Sequence, residues 1–316
     1  MKEKKVEKVP WDSKVVQIVL LCTLLAPLGV PLISPGLPAI KDNFGISDSR
    51  ASLLISSYFI VGIILSPFIG VIVDRFGRKI VLVLSLVVFS LTGSSMYFIP
   101  DFTLILILRF IQGTAAAGLF ITTVTLIGDT FDGIQRTAVF GINAAALSVG
   151  AALFPIVGGI LVSISWNTPF LAYLLGIPLA LFTLKVLEEP IKEKKKFQKG
   201  YIRKTLKLIR KREMILPYTS SILTEVLLFG AVFTLLPFIL LGKFGLSPVY
   251  IGAIISIASI TTALVSTQSG RLANRFSDHQ MIALGIFFYG LAMLGISSLS
   301  TVFIIVMSVI MFGAGI

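Results

Sequence analysis

Long apolar runs separated by short polar breaks make up most of the chain. Ten runs stand out, at about 15–40, 51–73, 80–99, 102–128, 138–163, 167–187, 214–241, 249–269, 280–298 and 301–316. Most are near the ~20 apolar residues that carry an α-helix across a bilayer core of roughly 30 Å. Lipid offers no hydrogen-bond partner to a bare peptide group, so only helices or a closed barrel can span it. Barrel strands are alternating segments of roughly 10 residues; these runs are longer and continuously apolar. The pattern predicts an all-α polytopic membrane protein.

The polar breaks carry the charge. Only 13% of residues are charged, against roughly a quarter in a soluble domain. The net charge is +12, yet the basic residues sit between apolar runs rather than on a globular face, which argues against a nucleic-acid partner. If successive runs alternate in direction, one side collects Lys2, Lys4, Lys5, Lys8 and Lys14, then Arg75, Arg78, Lys79, Arg136, the stretch from Lys185 to Arg212, Arg271 and Arg275. That is 23 of the 27 Lys and Arg residues. Lys41, Arg50 and Lys243 fall on the other side, and Arg109 falls inside the membrane. The positive-inside rule then places the N-terminus in the cytoplasm of a multi-pass cell-membrane protein. The first run is too long for the apolar region of a cleaved signal peptide.

Residues 188–213 interrupt the apolar pattern with a basic stretch and suggest a division into an N-terminal tail (1–14), a six-helix bundle (15–187), a cytoplasmic linker (188–213) and a four-helix partial bundle (214–316). The linker is either a solvated connection or a short amphipathic helix with Tyr201, Ile202, Leu206 and Ile209 on an inner-leaflet face. The second half repeats the first at an offset of 200: Phe44-Gly45-Ile46-Ser47 returns as Phe244-Gly245-Leu246-Ser247, Gly70 to Phe76 as Gly270 to Phe276, and Gly113 as Gly313. A parallel repeat is the architecture of two-bundle secondary transporters. By that symmetry two further helices are expected, so the chain reads as a piece of a twelve-helix protein, its two pseudo-symmetric six-helix bundles incomplete in the second.

Three motifs suggest mechanism. Gly70-Val71-Ile72-Val73-Asp74-Arg75-Phe76-Gly77-Arg78-Lys79 follows the second run. Gly70 invites close approach of a neighbouring helix, Gly77 permits a tight turn, and Asp74 can pair with Arg78 or Arg136 in one conformation and lose the pair in another, a latch on a bistable element. Leu108-Arg109 is followed by Gln112-Gly113 in the fourth run. The fifth carries Gly141, Gly150, Phe154-Pro155 and Gly158-Gly159. Pro155 removes a backbone donor and bends its helix. Gly150, Gly158 and Gly159 offer a smooth face to a helix of the other half, matched by Gly252, Ser256 and Ser259 in the eighth run.

The first motif resembles the signature of the major facilitator superfamily, the second its helix 4 motif, and the third the antiporter motif of the drug:proton antiporters, although Phe154 stands where that family usually has glycine. The resemblance covers essentially the whole chain. It implies a small-molecule substrate, coupling to protons and alternating access, with no cofactor.

Intramembrane polar residues mark the expected cargo site. An ionised side chain at mid-bilayer costs at least ~2.5 kcal/mol, so Arg109 should face the bundle interior or a wet cavity. Glu225 is near the middle of the seventh run, and Tyr218, Ser221, Glu225, Phe229 and Phe233 recur at helical spacing as an acid with aromatic walls, suited to an apolar cation. Tyr58 is a further candidate lining residue. Arg109 and Glu225 are alternatively no more than interhelical hydrogen-bonding groups. Pro27, Pro31, Pro35 and Pro38 predict a bent or unwound first helix.

Nothing indicates an enzyme. One cysteine and one histidine hold no metal set, and there is no phosphate-binding loop for ATP. The expected function is proton-coupled export of small apolar or cationic compounds. Alternatives are export of a sugar, amino acid or other metabolite, or a transporter-like receptor that moves nothing.

Overall fold

The computed structural model describes residues 9–189, 212–268, 272, 275–298 and 301–315. The amphipathic reading of the linker and most of the 270–276 repeat lie outside them. Among the described residues the chain forms ten apolar helical segments, nine of them long enough to cross a membrane. They are α1 (Lys14–Phe44), α2 (Asp48–Phe76), α3 (Arg78–Phe98), α4 (Phe102–Thr130), α5 (Gly133–Ile164), α6 (Thr168–Val186), α7 (Leu216–Phe244), α8 (Pro248–Ser266), α9 (His279–Ser298) and the shorter α10 (Val302–Gly315). The exposed surface is apolar: Ile63, Phe98, Leu294 and Phe303 are each more than two-thirds exposed. A soluble fold does not tolerate so many, whereas lipid does.

α1 is broken where its prolines predict. The α-helix stops at Leu25, gives way to 3₁₀ turns at Ala26–Gly29 and Ser34–Gly36, and resumes at Leu37–Phe44. Prolines lack the N–H that would occupy a carbonyl one turn back, so this stretch presents carbonyls to other side chains. α7 is irregular for another reason. Its middle, Leu227–Leu235, is π-helical. Thr234 Oγ1 donates to the Phe229 carbonyl at 2.5 Å, a five-residue step that a regular α-turn does not make.

The repeat is physical. α1 and α7 both end in a left-handed glycine, Gly45 at φ 60° and Gly245 at φ 63°, a conformation that favours glycine. α4 meets α2 where a β-carbon on Gly113 would collide with the Tyr58 carbonyl, and α10 meets α8 where one on Gly313 would collide with the Ala258 carbonyl. Both partners again differ by 200 in number.

The chain clusters into two compact units: residues 1–29, 53–150 and 167–199, and residues 30–52, 151–166 and 200–316. α1, α2 and α5 contribute to both. In the first unit α3 packs along α4 and α6, around Leu82, Leu86, Phe89, Ile105 and Leu126. In the second, α10 packs along α8 and α9, around Ile255, Ile305, Val309 and Phe312.

Candidate functional site: a buried arginine, a carboxylate cavity and a latch

Arg109 is wholly buried in the first unit. Its Nη1 donates to the Gly29 carbonyl at 2.8 Å, to Gln112 Oε1 at 3.0 Å and to Tyr173 Oη at 3.2 Å. Tyr173 Oη in turn donates to the Leu28 carbonyl at 2.8 Å, and Gln112 Nε2 to the Phe89 carbonyl at 3.2 Å. The carbonyls freed by the broken α1 are thus the acceptors for α4 and α6. Three aromatic rings surround the cation, with Cζ 5.6 Å from the centroid of Tyr58, 5.9 Å from Tyr173 and 6.0 Å from Phe170. Cation–π attraction offsets part of the desolvation. Nε and Nη2 have no acceptor among the described residues. Gly113, one residue beyond Gln112, brings α4 onto the α2 backbone at Tyr58 and so closes the knot.

Glu225 belongs to the second unit, on the last α-helical turn before the π segment. It lines a cavity of about 350 Å³ with Ser220, Ser221, Thr224, Met281 and Tyr289. Thr224 Oγ1 and Tyr289 Oη are 3.1 Å apart, joining α7 to α9 beside the carboxylate. Tyr289 also packs against Phe312, ring centroids 5.0 Å apart. One carboxylate among hydroxyls, a phenol and a thioether can hold a proton or attract a cationic or hydroxyl-bearing solute.

At the α2–α3 turn Arg78 is almost fully buried. Its Nη2 meets Asp74 Oδ1 at 2.6 Å and its Nε meets Asp129 Oδ2 at 2.9 Å. Of the two pairings open to Asp74, the structure has the one with Arg78; Arg136 is bound to Asp132 at 2.6 Å. Arg75 and Lys79 flank the turn, with Arg75 Cζ 5.6 Å from the Phe76 centroid. Gly77 has φ 98° and ψ 156°, a backbone that side-chain-bearing residues rarely adopt.

These features are the setting for the comparison with known proteins. The model of the Major Facilitator Superfamily matches residues 19–316. The chain belongs to the Major Facilitator Superfamily. It is therefore a multi-pass membrane transporter and not an enzyme. Multidrug resistance protein 2 of Bacillus subtilis (strain 168) is 28% identical over 281 residues, covering 86% of this chain and 70% of that protein. Quinolone resistance protein NorA of Staphylococcus aureus (strain MRSA252) is 29% identical over 204 residues, covering 64% of this chain; the match spans about half, 52%, of NorA. Among solved structures, a bacterial homolog of the human lysosomal transporter Spinster has a TM-score of 0.72 at 18% identity, covering 98% of this chain and 74% of that one. A D-xylose-proton symporter has a TM-score of 0.67 at 16% identity, covering 95% and 79%. These structural likenesses concern the fold.

Several sequence expectations need correction in this superfamily member. Outside its own helix backbone, no atom of the described residues comes within 4 Å of where a β-carbon on Gly70 would stand, so Gly70 marks no close helix approach there; Gly141 of the α5 motif has the same open surroundings. The α5 glycines do not form one face for one partner. A β-carbon on Gly150 would stand 2.8 Å from the Leu24 carbonyl of α1, and one on Gly158 would collide with the Leu32 carbonyl, also of α1. Only Gly159 packs on α8, against Pro248 and Val249, while Gly252 of α8 packs back on Pro155 and Ile156. Successive glycines point in different directions around a helix, and α5 uses them on two neighbours. α5 runs unbroken through Pro155.

The aromatic stripe around Glu225 is also redistributed. Ser221 and Glu225 line the cavity, but Tyr218, Phe229 and Phe233 are absent from its lining. Phe229 and Phe233 instead stack on each other, centroids 5.6 Å apart, with Phe233 buried. The π segment lengthens the hydrogen-bonded turn, so residues beyond Val226 leave the face that α-helical spacing assigns them. The cavity's aromatic is Tyr289. Tyr58 lies beside Arg109 and not in this cavity. Sequence reading missed Tyr173, Asp129, Glu189, Thr224 and Tyr289; the offset of 200 between Phe89 and Tyr289 was the one available signal for any of them.

Proposed function

We propose that the protein is a secondary active transporter working by alternating access, and that it exports small apolar or cationic compounds in exchange for protons. The observation that carries this reading is Glu225, a carboxylate on a membrane-spanning helix that opens onto a cavity lined by both polar and apolar side chains. Proton and cationic cargo compete for one acid: the ionised form attracts the cation and the protonated form releases it, which gives exchange. The names of the relatives, a multidrug and a quinolone resistance protein, support a drug-like cargo. The hydroxyls of Ser220, Ser221 and Thr224 support a second reading, export of a sugar or other hydroxyl-bearing metabolite, because they offer both donors and acceptors.

In this reading residues 15–187 and 214–316 belong to two bundles joined by a cytoplasmic linker at 188–213, after a cytoplasmic tail at 1–14, with Asp74 and Arg78 in a cytoplasmic latch. The test is uptake into everted vesicles, with and without a pH gradient, across cationic, neutral and sugar probes. Gradient-driven uptake of cations is the expected result; uptake of sugars alone selects the second reading, and no uptake of any probe defeats both. A cysteine introduced at Gln198 should react only with reagents that enter the cytoplasm, and one at Asp101 from outside. The reverse labelling overturns the orientation.

A further inference from the structure

The latch has a third carboxylate that no motif contains. α3 starts at Arg78, and its N-terminal residue Gly77 supplies no side-chain cap. The first turn of any helix leaves backbone N–H groups without partners. Here two of them, those of Arg78 and Lys79, are taken by a residue just beyond the end of α6. Glu189 Oε1 accepts from Arg78 N at 2.9 Å, and Glu189 Oε2 accepts from Lys79 N at 2.9 Å, across 111 and 110 residues of sequence. A carboxylate at a helix N-terminus gains from the capping bonds and from the helix dipole. Gly77 clears its seat: a β-carbon there would stand 2.6 Å from Oε2 and 2.9 Å from Cδ of Glu189.

We infer that Glu189 is a positioning residue of the gate, capping α3 so that Arg78 is held between Asp74 and Asp129. Arg78 is gripped twice. The segment that follows α6 holds its main chain through Glu189, while α2 and α4 hold its side chain through Asp74, Asp129 and the Val73 carbonyl, the last at 3.2 Å. α3 cannot tilt away from Asp74 with Glu189 in place unless the segment that follows α6 moves with it. Glu188, the adjacent acid, is exposed and makes neither bond, which makes it the control.

The joint is tested on the full chain by backbone hydrogen exchange, which needs no transport. Glu189→Ala should speed exchange of the peptide covering 77–82 by at least tenfold, with Glu188→Ala unchanged. Glu189→Gln, which keeps one acceptor, should fall between. Asp74→Asn should add less to that exchange in the Glu189→Ala background than alone, because both release the same arginine. Unchanged exchange in Glu189→Ala, an equal effect of Glu188→Ala, full additivity, or a rise spread along all of α3 and α6 each overturns the inference. Should Glu189→Ala fail to reach the membrane, Glu189→Gln decides by the same criteria.

The consequence for transport rests on the proposed function. Glu189→Ala should lower the maximal rate of ethidium uptake into everted vesicles about fivefold and leave its half-saturating concentration within twofold. A raised half-saturating concentration at full maximal rate overturns the gating role. Absence of ethidium uptake by the unaltered chain counts against the proposed function and leaves the exchange result to decide the joint.

Discussion

One helix joint is built twice and carries opposite chemistry. In the first half α4 rests on the α2 backbone at Gly113 and Tyr58; in the second α10 rests on the α8 backbone at Gly313 and Ala258. Around the first stand Arg109, Gln112 and Tyr58. At the positions 200 further on stand Val309, Phe312 and Ala258, all buried. Phe89, whose carbonyl receives Gln112, has its counterpart in Tyr289, whose hydroxyl reaches Thr224. Conversely the acid of α7, Glu225, has Leu25 as its counterpart in α1. A duplicated backbone therefore tolerates a buried cation beside the joint in one copy and apolar side chains at the same positions in the other, provided the glycine remains. The lesson is that glycine sets the packing and the residues one turn away set the chemistry.

Removing the acid is the harshest way to test this asymmetry. Glu225→Gln keeps shape and removes titration, so gradient-driven export of cations should fall to background, with neutral cargo affected less; vesicle uptake with and without a pH gradient measures it. Normal gradient dependence moves the coupling site elsewhere. Next is Arg109→Val, which gives the first joint the side chain of the second. We expect transport to drop about 100-fold, roughly 2.7 kcal/mol in barrier. The thermal midpoint should fall by no more than about 5 °C, because losing a desolvated charge offsets much of the cavity and of the acceptors left without a donor at Gly29 and Gln112. A midpoint lowered by more than about 5 °C, roughly 3 kcal/mol for a chain this long, makes Arg109 structural.

Gly113→Ala and Gly313→Ala ask whether the two joints are equivalent. Each presses a methyl on a backbone carbonyl that cannot rotate aside, so each should destabilise by about 1–3 kcal/mol, seen as a matched loss in thermal stability. A loss at one site only separates the copies. The mildest change is Asp74→Asn. The guanidinium of Arg78 keeps Asp129, so transport should slow only several-fold with ligand affinity retained; unchanged turnover reduces Asp74 to a surface residue.

Much of the fold was legible because lipid imposes length and polarity on each segment in turn. All ten runs became helices, and the prolines of α1 marked its break. The repeat was legible because glycine and turn residues keep their geometry at a fixed spacing. What stayed hidden is long-range and local at once. Asp129 and Glu189 reach Arg78 from 51 and 111 residues away, and any acid near a helix end looks alike in sequence. Tyr173 accepts from Arg109 and is held by the Leu28 carbonyl, a backbone group that every residue possesses. The stripe on α7 failed because its spacing assumed one helical period throughout, and Leu227–Leu235 departs from it.

That departure fixes the angular phase of α7. A π segment fits more residues into each hydrogen-bonded ring than an α-helix does. Deleting one residue from Leu227–Leu235 would let the stretch close into regular α-turns, with the residues on either side keeping roughly their angular positions. Ser34, which donates to the Phe233 carbonyl at 2.5 Å, would still meet a carbonyl of that helix, and Glu225 would keep its place. The irregular middle thus absorbs one residue and leaves both ends of the helix aimed as before, the acid on one side and the seat on Ser34 on the other.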